Sequence, residues 1–294
     1  MSFLGSSELI LNPDGSIYHL NLFPEDIAST IITVGDPERV AEVSKYFDSI
    51  EVKKAKREFH THTGYLAGKR LTVISTGIGT DNIDIVLNEL DALANIDFAS
   101  RQINSEKKQL GFIRIGTSGS IHPNIPVDSF LMSTSAIGLD GLLHFYGDSQ
   151  HRNNAMEKAF MEHSGWDMHN IAPYAVDFDA VLAKVFTSNQ MQMGITVTNS
   201  GFYGPQGRSL RLVPKIQDFH KLLTEFQFQD QRITNLEMET AGIYGLAKLL
   251  GHRSVSLNAI LANRATGEFS MDSGKTIDSL IKYVLERLVN DPSV

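Results

Sequence analysis

The chain has 294 residues, 42% of them hydrophobic, and a formal net charge of −8 at pH 7. That is enough apolar material for a sizeable core, in one large domain or two small ones, while the negative balance works against a phosphate-rich polymer as partner. Cysteine is absent, which excludes disulfides, thiolate metal sites and a cysteine nucleophile and fits a reducing, cytoplasmic setting.

The N-terminal MSFLGSSELILNPDGSIYHL lacks the basic start and apolar stretch of a signal peptide. No apolar run approaches the ~18 residues of a membrane span, so no membrane partner is expected. Ile31-Ile32-Thr33-Val34 reads as a buried strand ending at Gly35. Pro37 suits the first turn of a helix running toward Tyr46. Lys53-Lys54-Ala55-Lys56-Arg57 is the densest basic cluster and reads as a solvated strand and turn, so no nucleic-acid partner is expected. Leu71–Thr76 is a second strand, followed by the tight turn Gly77-Ile78-Gly79. Asp81 is placed to cap the next helix, which buries a stripe of Ile83, Val86, Leu87, Leu90 and Leu93. Phe112-Ile113-Arg114-Ile115 is a third strand, with others expected over 127–136, 193–199 and 254–260. Helices are expected over 238–250 and 276–289, the last with Ile277, Leu280, Ile281, Val284, Leu285 and Leu288 on one side.

This alternation predicts one domain over 1–294: a three-layer α/β/α sandwich around a mixed, largely parallel sheet. Ligands of such sheets sit at the carboxyl ends of the strands. Two segments read as surface insertions, one near 100–110 and one near 147–173. The histidines between His144 and His169 show no HExxH spacing, and no metal is assigned.

Four strings carry chemistry. Gly35-Asp36-Pro37-Glu38-Arg39 sets a glycine and an arginine where a strand opens into a helix, and backbone N–H groups there accept an anion. Arg114-Ile115-Gly116-Thr117 adds a second guanidinium and a hydroxyl. Burying Arg114 unpaired is costly, so it needs a strong partner, either a phosphate or a structural carboxylate. In Phe202-Tyr203-Gly204-Pro205-Gln206-Gly207-Arg208, Gln206 can both donate and accept toward a heterocycle, Arg208 can donate, and Phe202 can stack. An ordinary Gly/Pro loop is the plainer reading. Glu237-Met238-Glu239 offers carboxylates to vicinal hydroxyls, or simply first-turn acids favoured by the helix dipole.

In the order GDPERV, KREF, STGIGT, IRIGTSGSI, FYGPQGR and NLEMETAGIYG, the chain resembles the nucleoside phosphorylase-I family, and most of all its uridine phosphorylase branch. The resemblance runs from about His19 to the C-terminal helix. It implies phosphate ligands at Gly35, Arg39, Arg114 and Thr117, and Arg57 reaching in from a neighbouring subunit. It implies uracil recognition by Phe202, Gln206 and Arg208, and ribose contacts from Glu237, Met238 and Glu239. His19 would cross a homodimer with shared active sites to the 5′-hydroxyl, the dimer standing alone or in a hexamer as a trimer of dimers. Phosphate would attack C1′ of uridine, with Arg208, Gln206 and Arg114 stabilising the charge, giving uracil and ribose 1-phosphate reversibly. No cofactor is implied beyond phosphate as co-substrate. The chain departs from the familiar Pro-Gly order at Gly204-Pro205 and carries Gly207 where a larger residue is usual. Purine phosphorylases of the same fold place an acid where Asn263 stands, and Asn cannot protonate a purine. A purine nucleoside phosphorylase, a water-using nucleosidase and a non-catalytic nucleoside-binding protein are the alternatives.

Overall fold

The computed structural model describes residues 3–147, 150–166 and 171–291. His169 lies outside them, as does part of the segment 147–173.

The first strand, β1 (Thr30–Val34), is buried along its whole length. Its β-branched run suits a strand covered on both faces, and it lies parallel between two neighbours, β4 (Lys69–Ser75) and β7 (Gly111–Ser120). Alternate residues go to opposite faces: Ile31 and Phe112 join one core cluster, Ile32 and Ile113 the other. At the end of β1 the Asp36 carboxylate accepts from the Glu38 N–H at 2.9 Å and caps α1 (Pro37–Ser44). That helix stops two residues short of Tyr46. The cluster of lysines lies on β2 (Ser49–Lys56), an edge strand that alternates between exposed and half-buried positions, paired with β3 (Phe59–Leu66).

The helix α2 (Thr80–Asn95) buries the expected stripe from Ile83 to Leu93. Asp81 does not cap it. The chain turns at Gly79 with φ +96°, helical conformation begins at once, and Asp81 falls inside the first turn without a capping bond. Segment 100–110 carries half of a two-stranded hairpin, β5 (Ile96–Asp97) with β6 (Gln102–Ile103). Strand β7 does not end at Ile115 but continues to Ser120, because β13 (Arg253–Asn263) pairs with it through Asn263. Strand β8 (Phe130–Gly138) pairs with β13 and with the short β9 (Tyr174–Asp177). Between β8 and β9 lies α3 (Asn154–Ser164), whose Met156 and Phe160 are buried in the core, so the region of the second expected insertion is not confined to the surface.

The helix α4 (Ala180–Phe186) leads to β10 (Met191–Thr198), and α5 (Phe219–Glu225) to the hairpin of β11 (Gln227–Phe228) and β12 (Gln231–Glu237). Then come α6 (Thr240–Leu249), β13, the short β14 (Glu268–Phe269) and α7 (Ser273–Asn290). The large sheet runs β11-β12-β10-β8-β13-β7-β1-β4-β3-β2. Strand β12 also touches β7, pairing Asn235 with Ser120 and Leu236 with Gly119, so β12, β10, β8, β13 and β7 close a ring. Helices α2 and α6 cover one face of the sheet and α1, α4 and α7 the other, giving the three-layer sandwich in one domain. Among the described residues, no helix is long and apolar enough to cross a membrane.

Candidate functional site

A cavity of about 790 Å³ opens where β1, β4, β7 and β12 end. Ten of the sequence-predicted residues line it: Gly35, Arg39, Arg114, Thr117, Phe202, Gln206, Arg208, Glu237, Met238 and Glu239. They come from four segments far apart in sequence, which the sheet brings to one place.

Arg114 stands at the centre and is almost wholly buried. Its Nη2 donates to Glu239 Oε2 at 2.6 Å and lies 3.3 Å from Glu237 Oε2, and its Nη1 donates to Asn258 Oδ1 at 2.8 Å. Thus structural carboxylates do partner this arginine. Burial opposes its charge, but Glu237 and Glu239 outweigh burial and hold its pKa above the usual value. Burial also raises the Glu239 carboxyl, against the pull of Arg114. Gly116 makes the arrangement possible, since a Cβ there would come within 1.8 Å of Arg114 Nη1. Gly35 carries no such constraint: a Cβ would meet only the Gly77 carbonyl, at an ordinary 3.5 Å.

The acidic pair divides its work. Glu237 ends β12 rather than opening a helix, and its Oε2 accepts from the N–H groups of Glu239 and Thr240 at 2.9 Å each. Its Oε1 accepts from Thr198 Oγ1 at 2.6 Å, so this carboxylate ties the start of α6 to β10. Glu239 is the N-cap of α6, and its Oε1 accepts from Gly79 N at 2.8 Å. Met238 lies half-buried between them.

Arg39 is different. Its Nε is buried without a hydrogen-bond partner among the described residues. Burial pushes its pKa down, Asp36 and Glu42 pull it up, and the nearby Arg114 charge pushes it down again. Two like charges lining one cavity, one of them with an unmet donor, form a place for an anion.

At the other end of the cavity, Gln206 is buried and Arg208 half-buried. Arg208 Nη1 donates to Gln206 Oε1 and, at 2.7 Å, to the Phe202 carbonyl. The Arg208 guanidinium lies 3.8 Å from the centre of the Phe202 ring, so one face of that ring is already covered by a cation. Arg264 donates from Nη1 to the Gln206 carbonyl at 2.7 Å, and burial and then Arg208 push its pKa down to about 10. Asn263 is committed elsewhere: it donates to the His122 and Ile125 carbonyls and accepts from Ala265 N and Thr266 N.

Two predicted residues do not reach the cavity of their own chain. Arg57 is exposed at the turn between β2 and β3, with φ +54°, so KREF spans a turn and is not itself a strand. His19 lies outside, its Nδ1 2.6 Å from Glu89 Oε1. Conversely, Glu58 and Asn82 line the cavity beside Gly77. Only their neighbours in KREF and STGIGT marked them in the sequence. Among the described residues, no group of three or more His, Cys, Asp or Glu is placed to hold a metal.

Known proteins resemble this chain over most of its length. The uridine phosphorylase of Thermococcus kodakarensis is 30% identical over 268 residues, 90% of this chain and 83% of that one. The uridine phosphorylase of Escherichia coli is 28% identical over 282 residues, 92% and 96% of the two chains. The crystal structure of a Trypanosoma brucei nucleoside phosphorylase, described as showing uridine phosphorylase activity, superposes with a TM-score of 0.86 at 30% identity, covering 96% of this chain and all of that one. Residues 29–290 match the Phosphorylase superfamily as a whole, and the chain belongs to that family.

Proposed function

We propose that this enzyme cleaves uridine with phosphate, reversibly, to uracil and ribose 1-phosphate. The observation that carries the reading is that Arg39, whose buried Nε has no partner among the described residues, and Arg114 line the same cavity of about 790 Å³ as Gln206, Arg208 and Glu239. Phosphate held by Arg39, Arg114, Thr117 and the backbone at Gly35 attacks C1′. The C1′–N1 bond breaks with its electron pair going to the base, through an oxocarbenium-like state of the sugar. Gln206 and Arg208 receive the charge that gathers on uracil, and Arg264 holds Gln206 from behind through its carbonyl. Glu239 accepts from the ribose hydroxyls and Met238 packs beneath the sugar, while Glu237 keeps the start of α6 in place. Positioning and electrostatic stabilisation then suffice for catalysis, with phosphate as co-substrate and no other group.

The uridine preference is supported by Gln206 with Arg208, and by an Asn263 that is both unable to donate a proton and fully engaged in a turn. The relatives named uridine phosphorylase point the same way. Arg57, exposed at a hairpin tip, and His19, outside its own cavity, fit a homodimer in which each completes the partner's site. The test is a nucleoside panel assayed with and without phosphate. Uridine should be cleaved only with phosphate and with a higher kcat/KM than inosine. Equal rates without phosphate would identify a nucleosidase, and a higher value for inosine a purine phosphorylase.

A further inference from the structure

Asn258 lies in β13 opposite Gly116 of β7, fully buried in an apolar stretch between Leu257 and Ala259. It is not among the residues lining the cavity. Its Oδ1 accepts from Arg114 Nη1 at 2.8 Å, while its Nδ2 is buried with no partner among the described residues. Reversing the amide would set an N–H donor against a guanidinium, so Arg114 fixes its orientation. An unmet buried donor is costly, and a leucine at this position would not carry that cost. The oxygen is therefore what the position needs.

Its neutrality matters as much. Glu237 and Glu239 already face Arg114 Nη2. A third carboxylate would hold the guanidinium equally well but would add a negative charge behind Arg114 and repel a phosphate. An amide holds the Nη1 corner without adding charge. We propose that Asn258 is a positioning residue for anion binding: it fixes the plane of the Arg114 guanidinium at the cavity wall, against the pull of Glu239, without neutralising it. This rests on the reading of Arg39 and Arg114 as phosphate ligands.

The experiment is steady-state kinetics of Asn258→Asp and Asn258→Leu, varying phosphate at saturating uridine and uridine at saturating phosphate. In Asn258→Asp the KM for phosphate should rise at least about tenfold and the KM for uridine by much less. The ratio of variant to wild-type phosphate KM should shrink as pH falls from 8 toward 5.5 and the introduced carboxyl takes up a proton. Asn258→Leu should show a smaller rise, about threefold or more, with a ratio independent of pH. A phosphate KM within twofold of wild type in both variants, or equal rises in both KM values, overturns the proposal. If Asn258→Asp does not fold, the leucine variant decides alone by the same criteria. A wild-type enzyme indifferent to phosphate would instead overturn the phosphate reading on which the proposal stands.

Discussion

Replacing Arg39 with methionine separates an anion ligand from a structural arginine. Methionine keeps the apolar stem and removes the charge. Among the described residues the Nε of Arg39 has no partner to lose, and burial together with the Arg114 charge outweighs the attraction of Asp36 and Glu42. Stability in phosphate-free buffer should therefore stay level or rise, by at most about 1 kcal/mol, as at other sites where function opposes stability. A hydrogen bond to a charged group is worth about 1.5–3 kcal/mol, so the KM for phosphate should rise about 10- to 150-fold. Thermal melting reports the same loss. Phosphate at 100 times its dissociation constant stabilises the wild type by about 2.7 kcal/mol, whereas a variant binding 30-fold more weakly gains only about 0.9 kcal/mol. That difference amounts to several degrees of melting temperature for a domain of this size. A methionine variant that loses stability without phosphate, yet keeps its phosphate KM and its phosphate-induced shift, would show Arg39 to be structural and refute the reasoning.

Arg208→Ala should lower kcat more than it raises the KM for uridine, because its contact strengthens as the base becomes anionic; a pure KM effect would remove it from that role. Arg57→Ala and Arg208→Ala should each be nearly inactive, and unfolding and reassociating them together should restore activity, since one site of a mixed dimer is then intact. Mixed dimers that form without activity would place Arg57 in its own chain. His62, His122 and His220 all have pKa values lowered, chiefly by burial, so the unfolded chain binds more protons than the folded one as pH drops. Their stabilisation is complete above the unfolded histidine value of about 6.5 and is lost as pH falls through their folded values. Denaturant melts from pH 7.5 to 5 should show that decline, with a shallower slope in His122→Asn, and an unchanged slope would exclude His122 as a contributor.

Much of the fold is legible in the sequence because its signals are local. The run Ile31–Val34 and Pro37 specify a strand and the start of a helix within about ten residues, and the structure keeps both. The stripes of α2 and α7 are equally plain. What is not legible depends on partners distant in the chain. Strand β7 outlasts Ile115 because β13 extends it, and nothing near Gly116 announces that. Arg114 presents the same difficulty: a phosphate and a carboxylate are equally good partners on paper, and only the folded chain brings Glu237 and Glu239 to its Nη2. Helices α4 and α5, of seven residues each, are too short to show a stripe, and α3 buries only Met156, Glu157 and Phe160; residues such as Phe160 and Phe219 are held by contacts across the core.

The closed ring of β12, β10, β8, β13 and β7 bears on how the protein breathes. A strand in such a ring has both of its neighbours fixed by the others, so its amides can meet solvent only when the ring opens as a unit. Deuterium should therefore enter the backbone around Arg114, Asn258 and Leu236 last, at the rate of global unfolding. It should enter the exposed stretch from Leu210 to Val213 almost at once. Arg114 and Glu237 should thus belong to the slowest-exchanging part of the chain, while the loop carrying Gln206 and Arg208 borders the fastest, so that the two halves of one cavity should differ widely in local stability.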